Sequence, residues 1–314
     1  MLSSAVRDLK KSHGDEYLID VATSAPEIWE NNPHLTKIHP SEADIIVNCE
    51  YPLINKSNDY AYHFIHGYSI FLEKTLDCRI PVTLFKGDIH LANEEKLWMS
   101  QIEEMGERRP FWIIDAGGKF DFTAKWAPPS LYQSVVNHFK DKIVFVQTGS
   151  ANHWHPRIKG AIDLVGKTSM RQMIRLMYHA VGVITPVSFP MHLSAAVESR
   201  YGLKYRPCIV LAGGREGNHW EAYPGHKYLH SVGQYKCCAA GGCWKSRCTE
   251  IKDNDKKNEN LCENRVFIRK AKKEEKPHFD NLYSPKCLSD IKPKTIIEEI
   301  EKYYENEILS YSWN

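Results

Sequence analysis

The sequence predicts an α/β fold built from two domains that face each other across a cleft. Short apolar runs rich in Ile and Val alternate with segments of helical periodicity, which is typical of parallel sheets buried on both faces. With 314 residues, 42% of them hydrophobic, the chain can bury two cores of ordinary domain size. The polar stretch at 106–110 precedes a new apolar run, and we place the domain boundary there.

Each element follows from this alternation. Predicted strands occupy residues 17–22, 44–49 and 81–85 of the first domain and 111–115, 142–147, 182–185 and 208–212 of the second. Predicted helices occupy residues 2–12, 94–105, 129–139, 170–180, 191–197 and 294–306. We expect a first domain at 1–108, a second at 109–292, and a segment at 293–314 whose helix crosses back to the first. The strongly charged stretch at 252–276 predicts a solvated excursion.

Composition excludes several classes of partner. Forty-one basic and 39 acidic side chains give a net charge of +2, which argues against a nucleic-acid or membrane surface. The sequence has neither an apolar run long enough for a transmembrane segment nor the pattern of a signal peptide. We therefore expect a cytoplasmic protein with reduced thiols.

Six of the nine cysteines lie within one 51-residue stretch. Their spacing favours a structural ion held by four thiolates, iron or zinc, over free redox thiols or disulfides. Adjacent cysteines seldom share one tetrahedral ion, so the predicted ligands are Cys238, Cys243, Cys262 and Cys287. Cys237 and Cys248 remain alternatives.

Two loops of the second domain predict an anion site. After the strand at 111–115 comes Ala-Gly-Gly-Lys, which contains Lys119, and then Thr-Ala-Lys-Trp, which contains Lys125. Small residues allow close backbone approach and lysine supplies a positive charge, so phosphate is the expected ligand. Solvated lysines and a core tryptophan, Trp126, are the alternative.

The second loop begins at Thr185 and leads into a helix of small residues near Met191. Ser188 is expected to cap this helix, whose free amides would bind a pyrophosphate. His192 belongs to the same helix and is either a ligand contact or a buried structural histidine.

These motifs, in this order, resemble family 9 glycosyltransferases, the ADP-heptose heptosyltransferases. The resemblance rests on Gly-Gly-Lys, Thr-Ala-Lys-Trp, Phe-Val-Gln-Thr-Gly-Ser, Ile-Asp-Leu-Val-Gly-Lys-Thr and Thr-Pro-Val-Ser-Phe-Pro-Met-His-Leu-Ser-Ala-Ala, and it covers nearly all of 110–235. It implies a GT-B fold of two Rossmann-like domains and inverting transfer of heptose from ADP-heptose, with no catalytic metal. The acceptor would be a glycan, as in lipopolysaccharide biosynthesis, or a protein hydroxyl.

The resemblance also implies roles for individual residues. Lys125 matches the lysine that contacts the donor phosphates, and Gly149, Asn152 and His153 lie where the family contacts the nucleoside. The family's Asp-Thr-Gly before the pyrophosphate helix is replaced here by Pro-Val-Ser. The cysteine stretch resembles the iron finger of autotransporter heptosyltransferases, which form large homo-oligomers, so a homo-oligomer is expected.

The family's catalytic base is an aspartate between the first strand and the first helix. Here residues 1–7 already read as that helix, so we expect the first domain to lack its first strand. The catalytic base is therefore unknown, with Asp88, His63 and His66 as candidates. A non-catalytic, metal-stabilised binding or assembly protein is the alternative function.

Overall fold

A parallel six-stranded sheet is the centre of the structure, a computed structural model that describes residues 1–306 and 309. The strands are β1 (Phe111–Ile114), β2 (Val144–Gln147), β3 (Ile162–Asp163), β4 (Gly182–Pro186), β5 (Cys208–Gly213) and β6 (His226–His230). They lie in the order β3-β2-β1-β4-β5-β6, and every neighbouring pair is parallel. This is a doubly wound order, and it confirms the predicted α/β class.

The described residues form ten α-helices. They are α1 (Leu2–His13), α2 (His66–Leu76), α3 (Asn93–Leu97), α4 (Gln101–Glu104), α5 (Pro129–His138), α6 (Met170–His179), α7 (Phe189–Ala196), α8 (Asn218–Glu221), α9 (Lys286–Ser289) and α10 (Pro293–Glu305). Among the described helices, none is long and apolar enough to cross a membrane.

Both faces of the sheet are buried, as the apolar runs predict. Along β1, Trp112 and Ile114 face a core shared with α5 and α10, whereas Phe111 and Ile113 face a core shared with α6 and α7. The four predicted strands of the second half correspond to β1, β2, β4 and β5. The sequence does not predict β3, which has two residues, or β6, which is a half-exposed edge strand.

The described part of the C-terminal helix does not cross back to the first half. Ile296 and Ile300 of α10 are fully buried in the core that contains Trp112 and α5. The prediction of a crossing helix is therefore wrong for residues 293–305. Of the segment that follows, residues 307, 308 and 310–314 lie outside the described residues.

The first half departs most from prediction. Its described residues, 1–110, contain no strand, so the predicted strands at 17–22, 44–49 and 81–85 are wrong. Ile45 and Ile46 are 63% and 70% exposed, because no neighbouring strand or helix covers them. A second Rossmann-like domain is therefore not seen. Instead α1 and α2 pack around a small core that includes Ala5, Leu9 and Leu72.

Local capping explains why the predicted helix at 94–105 is divided into α3 and α4. The Ser100 hydroxyl accepts a hydrogen bond from the Glu103 amide at 3.1 Å, and the Glu103 carboxylate accepts one from the Ser100 amide at 2.6 Å. This reciprocal capping box starts a new helix at Gln101.

The charged stretch at 252–276 is only partly solvated. It contributes β7 (Arg265–Lys270), which pairs with β8 (Asn281–Pro285) in an antiparallel hairpin. Ala271 and Ile251 pack with Trp126 and Trp154 in a separate small core. The expected solvated excursion is thus in part a packed element that abuts the sheet domain.

Candidate functional site

A cavity of about 660 Å³ opens at the carboxyl ends of β1, β2 and β4. The first residues of α6 and α7 complete its wall. Open α/β sheets bind their ligands at this edge, at the point where the strand order reverses. In this sheet the reversal lies between β1 and β4, so the cavity occupies the expected ligand position.

The structure brings together most of the residues predicted for the donor site. The predicted residues that line the cavity are Lys119, Lys125, Gly149, His153 and Ser188. Thr185 lies behind the wall, where its hydroxyl is 2.9 Å from that of Ser188. Asn152 is exposed on the adjoining loop.

The side chains of Met191 and His192 do not line this cavity. Met191 is fully buried in the sheet core, and the Nδ1 atom of His192 is 2.9 Å from the Tyr223 hydroxyl. Burial is the main reason that the pKa of His192 lies well below its usual range. The surroundings of His192 therefore fit a structural histidine better than a ligand contact.

Three buried polar atoms on the cavity wall have no hydrogen-bond partner among the described residues. They are Trp126 Nε1, Thr148 Oγ1 and His155 Nε2. Leaving a buried donor or acceptor unpaired costs about 1–3 kcal/mol, so native structures rarely tolerate several at one place. Similar atoms occur elsewhere in the described part of the chain, so these three do not identify a ligand by themselves. Sequence reasoning missed Thr148 and His155, since no spacing pattern reveals a missing partner.

Lys125 projects into the cavity as part of a buried group of charges. Its Nζ donates to the Val187 carbonyl at 3.0 Å and lies 3.1 Å from the Glu216 carboxylate, which also contacts Arg215. Burial, and secondarily the charge of Arg215, lowers the pKa of Lys125 to about 7. A bound anion would restore the charged form of this amine.

The start of α7 differs from the predicted anion site. Ser188 makes no capping bond; its hydroxyl donates to the Asp115 carboxylate at 2.9 Å. Pro190 has no amide hydrogen, so the first helical turn offers fewer donors than expected. The predicted cap is wrong, because the nearby carboxylate competes for the hydroxyl. Burial raises the pKa of Asp115, which favours a neutral acid beside a bound anion.

The Gly117–Gly118 turn fixes the opposite wall. Gly118 and Trp154 exchange two backbone hydrogen bonds, of 2.8 and 3.1 Å. Gly117 has φ +93°, and a Cβ atom there would lie 2.1 Å from the Trp154 carbonyl oxygen. Gly117 is thus required for packing against the 152–156 loop, rather than only for approach of a ligand.

The polar and aromatic residues on the loop after β5 divide into two groups. Arg215 and Glu216 belong to the buried charges around Lys125. His219 instead pairs with the Ser57 carbonyl at 2.9 Å, and the carbonyl of buried Trp220 accepts a hydrogen bond from the Phe64 amide. These last two residues join the first half of the chain to the second.

Five cysteines line a separate small pocket next to the turn at Gly213 and Gly214: Cys237, Cys238, Cys243, Cys262 and Cys287. Cβ atoms at these glycines would lie 2.9 Å from the sulfurs of Cys287 and Cys238, respectively. The backbone therefore approaches the sulfurs closely. Among the described residues, no three cysteine sulfurs lie within 4.8 Å of one another, so the thiols surround the pocket without closing a tetrahedral set.

The contacts distinguish among these cysteines. Each pair among Cys237, Cys243, Cys262 and Cys287 is near enough for one thiolate to raise the pKa of another. The Cys238 thiol instead donates to the Ser231 carbonyl at 3.4 Å. A hydrogen bond from Cys248 lowers the pKa of Cys262 to about 7. Cys238 also contacts Cys237, so both adjacent cysteines lie at the pocket. Four thiols of this kind suit iron or zinc.

Comparison with known proteins supports the resemblance seen in the motifs. Residues 62–207 match the sequence model of glycosyltransferase family 9 (heptosyltransferase). The match includes the loops that carry Lys119, Lys125 and Ser188, so the resemblance to family 9 is confirmed. No curated protein matches the chain.

Solved structures of similar proteins include heptosyltransferases. The ADP-heptose lipopolysaccharide heptosyltransferase II of E. coli is 16% identical with a TM-score of 0.44, over 74% of this chain and 57% of that one. A family 9 glycosyltransferase of Veillonella parvula is 16% identical with a TM-score of 0.47, over 77% and 60%. The dodecameric iron-containing heptosyltransferase TibC, from enterotoxigenic E. coli and in complex with ADP-D-β-D-heptose, is 17% identical with a TM-score of 0.40, over 63% and 46%. The chain thus spans 46–60% of the length of these proteins.

Replacing Gly117 with alanine should distort the cavity wall. Gly117→Ala combines an unfavourable positive φ with a Cβ placed 2.1 Å from a backbone oxygen, whereas Gly106→Ala has a similar φ, +88°, and open space. We expect Gly106→Ala to cost about 1 kcal/mol and Gly117→Ala at least about 2 kcal/mol more. Chemical denaturation of both variants measures the difference. Equal losses of stability in the two variants would show that the Trp154 loop moves to accommodate the added Cβ atom at little cost.

Proposed function

We propose that the chain binds ADP-heptose in the 660 Å³ cavity and transfers heptose, with inversion, to a hydroxyl group of a glycan or protein acceptor. The observation that carries this proposal is the position of two lysines, Lys119 and Lys125, on the wall of a large cavity at the switch point of the sheet. A diphosphate needs cationic and N–H donors, and a nucleoside needs a flat polar wall. The loop after β2, with Gly149, Ser150 and His153, lines the cavity and would contact the nucleoside.

In the proposed reaction, the second half of the chain acts on the leaving group. Negative charge grows on ADP as its bond to the sugar breaks, and positioned cations at that point lower the barrier. Lys125 lies in a buried environment, where its charge would act on the phosphates with little screening. Lys119 lies on the same wall. This mechanism requires no metal at the diphosphate.

We assign no catalytic base. Inverting transfer needs a group that takes the acceptor proton on the face of the sugar opposite ADP. Within the described residues, no carboxylate of the first half lines the cavity, and Asp115 of the second half is bonded to Ser188. This observation favours a second candidate function, a protein that binds the donor without transferring its sugar.

Binding and turnover measurements separate these two functions. Donor binding by calorimetry, together with ADP release in the presence of lipopolysaccharide core or a serine-containing protein, would support transferase activity. Binding of ADP-heptose without ADP release on either acceptor class would favour the binding protein. Tighter binding of UDP or GDP sugars would instead change the proposed donor.

For the cysteine pocket we propose a structural iron or zinc ion held by Cys237, Cys243, Cys262 and Cys287. The pocket lies against the turn after β5 and against Ala124, one residue before Lys125. An ion bound by four thiolates has no free position for substrate, so its role would be to fix these loops. A homo-oligomer remains a proposal from the resemblance, and a cytoplasmic location remains a proposal from the sequence pattern.

Removing the Lys125 ammonium should weaken donor binding. Lys125→Ala should reduce ADP affinity by about 10- to 150-fold, the effect of losing a charge-assisted hydrogen bond of about 1.5–3 kcal/mol. Lys167→Ala is the matched control, since Lys167 adjoins the cavity-lining Gly166 and Thr168 but pairs outward with Asp163. Titration calorimetry measures both. Unchanged affinity in Lys125→Ala would remove this residue from the site.

The affinity for ADP should depend on pH through Lys125. In the free protein its pKa is about 7, and a bound diphosphate would raise that pKa, so binding takes up a proton. Affinity should therefore be highest when the lysine is charged and should fall by up to about tenfold per unit as pH rises above 7. Calorimetry from about pH 6 to about pH 9 in buffers of different ionisation heat measures the proton uptake.

A control variant isolates this effect from the other groups that titrate nearby. Lys125→Gln removes the amine but leaves the other nearby titratable groups in place: Arg215, Glu216, Glu221 and Lys119. The phosphate groups of ADP also titrate in the same way with both proteins. The difference in proton uptake between the wild-type protein and Lys125→Gln is therefore due to the lysine. Identical uptake would contradict the assignment.

Metal content should discriminate between the adjacent cysteines. Cys237→Ser should lose most of the bound iron or zinc, because it removes one of four thiolates, whereas Cys238→Ser should retain it. Elemental analysis of the purified full chain gives both values. Loss of metal only in Cys238→Ser would restore the ligand set predicted from sequence.

A further inference from the structure

Two histidines and an aspartate converge at one point of the first half. The Oδ2 atom of Asp88 lies 2.8 Å from Nε2 of His90 and 3.6 Å from Nε2 of His34. Among the described residues, this is the one group of three metal-binding side chains whose ligand atoms all lie within 4.8 Å of one another. We propose that these residues form a zinc-type divalent cation site, separate from the cysteine pocket.

The separations of Asp88 from the two histidines are near those around a bound ion, and the shorter one is a hydrogen bond that an ion would replace. Zinc bonds of about 2.0–2.1 Å to nitrogen and oxygen in a tetrahedral arrangement place the ligand atoms about 3.3 Å apart. The two observed separations lie on either side of this value. Two imidazoles and one carboxylate are a common donor set for zinc, and three protein ligands leave a fourth position for water.

The surroundings hold Asp88 in place and leave its Oδ2 atom available to a cation. The Asp88 amide donates to the Ser3 hydroxyl at 3.0 Å, and Arg7 approaches the other carboxylate oxygen, Oδ1, at 3.7 Å. The Arg7 guanidinium is bonded to Asp8 at 2.9 and 3.0 Å, so its positive charge is already compensated. Oδ2 therefore faces the two imidazoles without a competing cation bonded to it.

The site is accessible and lies apart from the other two. The side chains of His34, Asp88 and His90 are 19%, 12% and 33% exposed, so an ion can enter and keep a water ligand. None of the three lines the cysteine pocket or the 660 Å³ cavity. The ion would link the loop around His34 to the loop after residue 85, in a half of the chain whose described residues form no sheet.

Cobalt binding to the full chain tests this site in the presence of the cysteines. Cobalt bound by thiolates absorbs strongly in the near ultraviolet, whereas cobalt bound by imidazole and carboxylate gives only weak visible bands, so the two sites are read separately. His34→Gln and His90→Gln should each weaken the nitrogen–oxygen site at least about tenfold while leaving the thiolate absorption unchanged.

The matched control is His138→Gln. His138 lies 2.9 Å from the Glu301 carboxylate, a similar pair that lacks a second imidazole, and its loss should not alter cobalt binding. Far-ultraviolet circular dichroism of the metal-free variants checks that each is folded, and the two histidine variants provide independent tests. Unchanged weak bands in both folded variants would overturn the proposal, as would their absence from the wild-type chain at saturating cobalt.

Discussion

The position of Trp154 constrains both the cavity and the cysteine region. Its backbone exchanges two hydrogen bonds with Gly118, and its ring packs against that of Trp126 at a tilt of 31°, with centroids 4.3 Å apart. Its indole Nε1 donates at 2.9 Å to Glu275, which lies between the two strands of the hairpin. One residue therefore joins the loops after β1 and β2 to the hairpin, which lies in the sequence between Cys262 and Cys287. The cavity wall cannot shift without disturbing that hairpin.

Burial of charge is the second feature that shapes the site. Lys125, Arg215, Glu216 and Glu221 lie together beside the cavity, and burial shifts the pKa of Lys125 down and that of Glu221 up. Both shifts favour the neutral forms, which shows that the protein alone does not fully compensate these groups. A bound diphosphate would favour the charged form of Lys125, whereas it would raise the pKa of Glu221 further. The same arrangement thus explains why the lysine is perturbed and which kind of ligand would relieve the perturbation.

Sequence patterns predicted those parts of the fold that depend on local burial. The run Phe-Trp-Ile-Ile of β1 is buried on both faces, so its apolar pattern identifies a strand without reference to its partners. Ile45 and Ile46 form a similar apolar run, but a strand also needs a neighbouring strand. Among the described residues they have no such neighbour, and the sequence pattern alone does not reveal this. The loops with Lys119 and Lys125 were predicted because glycine and lysine carry a recognisable chemistry. The unpartnered Thr148 hydroxyl and the choice between Cys237 and Cys238 depend on distances between loops, which spacing does not fix.

The two proposed metal sites lie where apolar burial contributes least. The sheet is held by two extensive apolar cores, whereas the cysteine pocket joins short irregular segments and the His34 site joins loops of a half with one small core. Segments with little apolar surface to bury gain stability from cross-links, because an ion bound only in the folded state stabilises that state. The first half also depends on the second through contacts such as the reciprocal hydrogen bonds between Asn58 and Gly242, of 2.8 and 2.9 Å. Gly242 precedes Cys243, so these bonds join the 51–60 region of the first half to the segment that leads into the cysteine pocket.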